Sequence, residues 1–364
     1  MMNDEFYMRK ALQLARRGLG KVSPNPMVGA VIVRDERIIG QGFHRRFGGP
    51  HAEVEAIGNA REDITGSTMY VTLEPCCHYK KKTPPCLDLL LQYDLKRVVI
   101  GTLDPNPQVN GKSVEVLKQR GIDVNYGVLA EECEKLNEAF FKWIRTGLPF
   151  VTLKLAQTLD GKIAAAGGDA RWISSTSSLK LTHRLRSIND AVLIGIGTVV
   201  IDNPKLTVRN IRGRSPQRIV VDSTLKMPLT ADILNEQNTA PTIIAATSAA
   251  DADKITSLRA KDIEVLMIEK DDEGRAALND LLKKLGQRNI SSVLAEGGSA
   301  IATSLIKQNL IDKFIFIIAP KMMGTGVDSI GDLGIGRASE AIRLCIIKMY
   351  HSGDDLVIEA KRGK

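Results

Sequence analysis

The sequence predicts a two-domain α/β protein. Its 364 residues exceed what one ordinary hydrophobic core takes up and fit two. Apolar runs of strand length alternate with segments of helical periodicity through both halves. Between the halves, Thr146-Gly147-Leu148-Pro149 supplies the turn residues of a boundary. One domain is therefore expected over 1–147 and a second over 148–364.

In order along the first half, the pattern predicts a helix over Phe6 to Arg17, a strand over Met27 to Val33 and, after a turn at Arg34-Asp35-Glu36, a strand over Arg37 to Phe43. A helix from about Ala52, a strand over Met69 to Leu73, a helix after Cys86, a strand over Arg97 to Gly101 and a helix ending near Gly121 follow. One helix over Glu131 to Arg145 closes the domain. The second half is expected to begin with a strand over Phe150 to Ala156 and to add strands over Ala191 to Ile194, Arg218 to Val221, Thr242 to Ala246 and Ser292 to Leu294. Its helices are expected near Ser177 to Arg186, Arg275 to Leu285 and Ala300 to Gln308.

Composition narrows the function classes. No apolar run approaches the roughly 20 residues of a membrane helix, and the charged N-terminus (Asp4, Glu5, Arg9, Lys10) has no secretory h-region. Five cysteines, three of them within eleven residues, do not form a disulfide framework and favour a reducing, cytoplasmic setting. The net charge of +8 suits phosphorylated metabolites as well as nucleic acid, and the one basic run, Lys80-Lys81-Lys82, lacks interleaved aromatics. A small phosphorylated substrate, with neither nucleic acid nor membrane as partner, is the expectation.

The sharpest signal is His51-Ala52-Glu53, then Glu74-Pro75-Cys76, then Pro84-Pro85-Cys86. One imidazole and two thiolates are three zinc ligands, the number a catalytic site uses when a fourth position stays open for water. Both His51 and Cys86 fall where a helix should begin, which helps keep a thiolate deprotonated. Glu53 is close enough to carry a proton without binding the metal, the division of labour found in zinc deaminases. Cys76, directly after Glu74-Pro75, is the expected ligand, although Cys77 remains a second candidate by its interval to Cys86.

These residues, with Ser23-Pro24-Asn25-Pro26-Met27-Val28-Gly29-Ala30, His44, Gly48-Gly49-Pro50, Tyr70-Val71-Thr72-Leu73, His78-Tyr79 and Thr83, resemble the deaminase half of the bifunctional enzymes of riboflavin biosynthesis. That resemblance implies a cytidine-deaminase-like α/β/α layer in which Asn25, His44, His78 and one of Lys80, Lys81 and Lys82 contact the pyrimidine and ribose. The interval from Cys76 to Cys86 is longer than the short Pro-Cys-x-x-Cys of nucleic-acid deaminases, which argues against an RNA-editing role.

The second half resembles the dihydrofolate-reductase-like half of the same family. The motifs are Lys154-Leu155-Ala156, Leu159-Asp160-Gly161-Lys162, Ala170-Arg171-Trp172-Ile173-Ser174, Gly195-Ile196-Gly197-Thr198, Asp202-Asn203-Pro204, Leu206-Thr207-Val208-Arg209, Val221-Asp222-Ser223 and Glu296-Gly297-Gly298-Ser299. Gly297-Gly298-Ser299 opens a helix after a strand, where a phosphate approaches backbone N–H groups. The resemblance implies that Ala156, Trp172, Thr198, Asp202, Ser223, Gly297, Gly298 and Ser299 hold NADPH, and that Ala170, Arg186, Leu206, Arg209 and Glu296 hold substrate. Arg186 and Arg209 suit a substrate phosphate. Lys154 and Glu296 are the candidates for polarising the sugar carbonyl or imine. The implied reactions are zinc-dependent deamination of a diamino-ribosylamino-pyrimidinone 5′-phosphate and NADPH-dependent reduction of its ribosyl to a ribityl chain. A homo-oligomer is expected by analogy.

Overall fold

The computed structural model describes residues 3–79, 83–170 and 173–363. It divides into two compact units, Met1–Gly147 and Leu148–Lys364. In the first, strands β1 (Gly29–Arg34), β2 (Arg37–Phe43), β3 (Thr68–Leu73), β4 (Arg97–Thr102) and β5 (Asp123–Tyr126) form one sheet in the order β2-β1-β3-β4-β5. β1 runs antiparallel to β2 and β3, whereas β3, β4 and β5 are parallel. The β1–β2 turn places Asp35 and Glu36 at φ +46° and +60°, the sense that matches strand twist in a tight hairpin.

Alternation along the strands gives each sheet face its own core. Ala30, Ile32, Met69, Val71, Val98 and Ile100 pack on one side; Val31, Val33, Tyr70 and Val99 pack on the other, against Tyr7, Met8 and Ala11 of the helix Asp4–Ala15. Asp4 fastens that helix by accepting from the Tyr70 hydroxyl at 2.9 Å and from two Arg97 nitrogens at 2.9 Å each.

The second unit contains β6 (Phe150–Thr158), β7 (Lys162–Ala165), β8 (Ala191–Gly195), β9 (Gln217–Val221), β10 (Thr242–Ala246), β11 (Glu264–Met267), β12 (Ser292–Glu296), β13 (Lys313–Ala319), β14 (Gly326–Asp328), β15 (Leu344–Ser352) and β16 (Asp355–Arg362). Nine of these build a sheet in the order β11-β10-β9-β8-β12-β6-β13-β16-β15, and β7 pairs with β14 in a separate ribbon. From β11 to β13 every neighbour is parallel; β16 and β15 add an antiparallel edge. Apolar clusters cover both faces, as a parallel sheet requires.

Several boundaries differ from expectation. The single helix over Glu131 to Arg145 is two, Ala130–Leu136 and Glu138–Thr146. Asn137 separates them because its amide is engaged elsewhere, accepting from Met27 N–H at 2.8 Å and donating to Met27 O at 2.9 Å. The helix expected from Arg275 starts at Leu278, since Arg275 N–H is drawn to the Asp271 carboxylate at 2.7 Å. Strands β5, β7, β11 and β13 to β16, and the helices Ile196–Asp202 and Ala252–Arg259, were not among the expected elements.

Candidate active sites

Two helices begin on either side of the first site. His51 precedes the helix Ala52–Gly58, and Cys86 is the first residue of the helix Cys86–Leu90. Cys76 follows the end of β3, where buried Glu74 anchors the chain: its carboxylate accepts from Asp104 N–H at 3.2 Å, Gly111 N–H at 2.9 Å and Ser113 N–H at 3.1 Å. The Ser113 hydroxyl donates to Pro75 O at 2.5 Å. These four contacts fix the loop that presents Cys76.

His51 Nδ1 lies 3.5 Å from Cys76 Sγ and 3.2 Å from Cys86 Sγ, and the three ligand atoms fall within 4.8 Å of one another. Two sulfurs and an imidazole nitrogen converging in this way fit zinc. Thr83 Oγ1 sits 3.3 Å from His51 Nε2, the partner that keeps Nδ1 turned toward the sulfurs. Cys77 points elsewhere, its Sγ 3.6 Å from Gln108 O, so the geometry gathers Cys76 and not Cys77.

Glu53 is 3% exposed, and burial first, with the Cys76 sulfur second, pushes its carboxyl above the usual range. A cavity of about 360 Å³ opens onto this cluster, lined by Asn25, His44, His51, Glu53, Cys76 and His78 together with others. His44 Nδ1 meets Pro50 O at 2.8 Å. A carbonyl only accepts, so Nδ1 carries the proton and Nε2 accepts from Asn25 Nδ2 at 3.0 Å. Burial pushes the ring's pKa below the usual imidazole value, in the direction that favours this neutral tautomer. Lys80, Lys81 and Lys82 lie outside the described residues.

The second site is a cavity of about 640 Å³ at the carboxyl ends of β6, β8 and β12, the place where open parallel sheets take ligands. Lys154, Ala156, Ala170, Thr198, Asp202, Gly297, Gly298 and Ser299 all line it. Gly297 has φ +108°, and a Cβ there would stand 2.8 Å from Thr198 Oγ1; Gly298 N–H donates to the same hydroxyl at 3.3 Å. Gly298 caps the nine-residue helix Ser299–Lys307. This glycine cradle before a helix end fits a dinucleotide phosphate.

The other expected residues stand apart from that lining. Ser223 Oγ accepts from Ala276 N–H at 3.0 Å. Leu206 is buried at 3% exposure, and exposed Arg209 donates from Nη1 to Thr207 Oγ1 at 3.1 Å. Arg186, expected against a substrate phosphate, places Nε and Nη2 on Glu296 at 2.7 and 2.9 Å. Lys154 Nζ is 3.9 Å from the same carboxylate. Burial alone would raise the Glu296 carboxyl, but Arg186 and Lys154 hold it below the usual range. Burial pushes the Lys154 ammonium down, against the pull of Glu296. Trp172 lies outside the described residues. Quoted in the sequence motifs but without these roles were Glu74 as the loop anchor, Thr83 as the partner of His51 and the pairing of Arg186 with Glu296, because the partners are distant along the chain.

A sheet layered by helices around a His/Cys/Cys cluster, joined to a parallel sheet with a glycine-cradled cavity, defines a deaminase linked to a reductase. Residues 1–102 match the profile of the cytidine and deoxycytidylate deaminase zinc-binding region, and residues 149–358 match that of the RibD C-terminal domain. The chain belongs to the RibD family of bifunctional deaminase–reductases of riboflavin biosynthesis. It is 45% identical over 360 residues to the riboflavin biosynthesis protein RibD of Aquifex aeolicus, covering 99% of this chain and 98% of that one. It is 38% identical to that of Escherichia coli, covering 98% and 99%. Among solved structures, the diaminohydroxyphosphoribosylaminopyrimidine deaminase/5-amino-6-(5-phosphoribosylamino)uracil reductase of Thermotoga maritima matches with a TM-score of 0.87 and 39% identity over 99% of both chains. Acinetobacter baumannii RibD matches with 0.89 and 35%, again over 99% of both. The first unit is cytidine-deaminase-like and the second dihydrofolate-reductase-like.

Proposed function

We propose that residues 1–147 deaminate 2,5-diamino-6-ribosylamino-4(3H)-pyrimidinone 5′-phosphate and that residues 148–364 reduce the ribosyl chain of the product to ribityl with NADPH. The convergence of His51, Cys76 and Cys86 beside buried Glu53 is the observation that carries this reading. Zinc held there supplies a Lewis acid that makes water acidic enough to act as a nucleophile near neutral pH. Glu53 takes the protons of the attacking water in turn, passing one to the ring nitrogen and the other to the departing amine, so water enters, ammonia leaves and a ring carbonyl beside an N–H remains. Asn25, turned by neutral His44, offers its amide to the edge of the pyrimidine; His78 stands on the same cavity wall.

In the second unit NADPH supplies hydride. Gly297, Gly298, Ser299 and Thr198 hold its phosphates, with Ala156 and Asp202 along the same cavity. Lys154 is the group that reaches the substrate, polarising the sugar carbonyl or imine and giving up the proton that accompanies hydride. Glu296 acts through Lys154 by keeping the ammonium in place, and Arg186 keeps Glu296 ionised, leaving its Nη1 for substrate. Ser223, Leu206 and Trp172 are retained as family contacts, Arg209 as the surface partner of the phosphate. We place the protein in the cytoplasm, in keeping with five cysteines of which none forms a disulfide among the described residues. Among the described residues no helix is long and apolar enough to cross a membrane. We further propose a homo-oligomer.

The decisive experiment follows ammonia release and NADPH oxidation together in wild type and Glu53→Gln. The variant keeps zinc, loses about a hundred- to ten-thousandfold in ammonia release, and oxidises NADPH at the wild-type rate on already deaminated substrate. Equal loss of both activities in folded, zinc-loaded variant would end the idea of two autonomous centres.

A further inference from the structure

Periodicity gives the helix Glu138–Thr146 only the task of closing the first unit. Its side chains divide more finely than that. Phe141 is buried at 4% exposure and belongs to the interior. Phe140, Trp143 and Ile144, neighbours on one helical face at intervals of three and four, are half-buried and line the 360 Å³ cavity that contains His51 and Glu53. The start of this helix is fixed by the Asn137 amide, which brackets Met27 through its N–H and C=O, two residues from Asn25. The helix face is thus held in register with the loop carrying that amide.

The remainder of the lining is rich in polar groups, among them Asn25, His44, Thr83 and Asp104. A flat heteroaromatic ring has two kinds of surface: edges that need hydrogen-bond partners and faces that need apolar or π contact. A cavity that combines these polar groups with aromatic side chains, Phe47 from the loop before His51 as well as Phe140 and Trp143 from this helix, matches both. We propose that Trp143 is a specificity-determining residue of the deaminase centre, its indole covering one face of the pyrimidine ring while Phe140 and Ile144 extend the wall. This rests on the deaminase reading above. An indole is a large, rigid platform that loses little conformational freedom on contact, and stacking of a base on it tolerates changes at the ring edge. Edge selectivity therefore falls to Asn25, and ring selectivity to Trp143.

Two measurements test the wall. Trp143→Ala raises KM for ammonia release about five- to a hundredfold, the range of base–aromatic stacking, while kcat changes by only a few-fold; Trp143→Phe restores most of the loss. Zinc content and NADPH oxidation on deaminated substrate stay at wild-type values in both variants. The second measurement does not depend on how the alanine variant folds. The chain has two tryptophans, Trp143 and Trp172, so zinc-loaded Glu53→Gln/Trp172→Phe protein has Trp143 as its one indole. Titrating it with the diamino-ribosylamino-pyrimidinone phosphate quenches the emission saturably. If KM is unchanged in a folded Trp143→Ala, or the emission does not respond to substrate that wild type deaminates, the wall is overturned and the deaminase reading stands. If zinc-loaded wild type releases no ammonia, both are overturned.

Discussion

Two arginines that look equivalent in sequence stand in different surroundings. Arg186 is a helix residue with its side chain 11% exposed, joined through two nitrogens to Glu296, 7% exposed. Arg209 is exposed and has a hydroxyl as its side-chain partner. Removing one member of a buried ion pair costs about 3–5 kcal/mol, because the other charge stays behind. Lys154 at 3.9 Å still faces Glu296, so Arg186→Ala should fall at the lower end, about 3 kcal/mol, with reductase activity lost through displaced Lys154. Arg209→Ala should leave stability within about 0.5 kcal/mol and raise KM for the phosphorylated substrate roughly tenfold or more, the loss of one charge-assisted contact. Thermal unfolding and reductase kinetics on the two variants separate the roles. A stable Arg186→Ala with only KM raised would mean that the pair is dispensable and that the guanidinium serves the phosphate.

Elements differ in how much of their purpose the sequence displays. His51-x-Glu53 and the two Pro-Cys pairs were legible because each ligand stands at the start of a helix or the end of a strand, with its own local punctuation. The Glu74 anchor was not, since its three N–H donors lie 30 to 39 residues away and only the fold gathers them. The helix carrying Trp143 shows an apolar stripe in sequence, but periodicity cannot say whether a stripe meets a core or a cavity. Strands β5 and β11 are four residues each, the shortest run over which alternation can be counted. Arg186 and Glu296 are 110 residues apart, and no spacing rule connects them. The glycine cradle was legible as a turn, and its φ of +108° at Gly297 adds a test at the level of the β12-to-helix connection. In Gly297→Ala the methyl group meets Thr198 in a backbone region that L-residues avoid, a strain of about 1–3 kcal/mol. NADPH affinity should drop about five- to a hundredfold on that scale, with zinc content and ammonia release untouched. An NADPH Kd equal to wild type would remove the phosphates from this turn.

At the scale of the whole molecule, β15 is the outer strand of the large sheet, paired on one side with β16. Ile346 and Met349 on it are 59% and 56% exposed. Long apolar edges invite further pairing unless something covers them, and in the homo-oligomer proposed above a second copy related by a two-fold axis would cover this one without leaving a new edge. Light scattering should give a native mass that is a multiple of 39.8 kDa, and Ile346→Lys with Met349→Lys should lower it. A wild-type monomer at micromolar concentration would refute the assembly. The same sheet has a consequence for synthesis. β6 is the first strand of its unit to leave the ribosome, yet its partners are β12 and β13, which begin at Ser292 and Lys313. At about 5–20 residues per second, its apolar edges wait from several seconds to a few tens of seconds before either neighbour exists. The deaminase unit, already synthesised by then, stands upstream of a nascent chain in which an interior strand of the large sheet is still unpaired, and that interval is when a chaperone has most to hold.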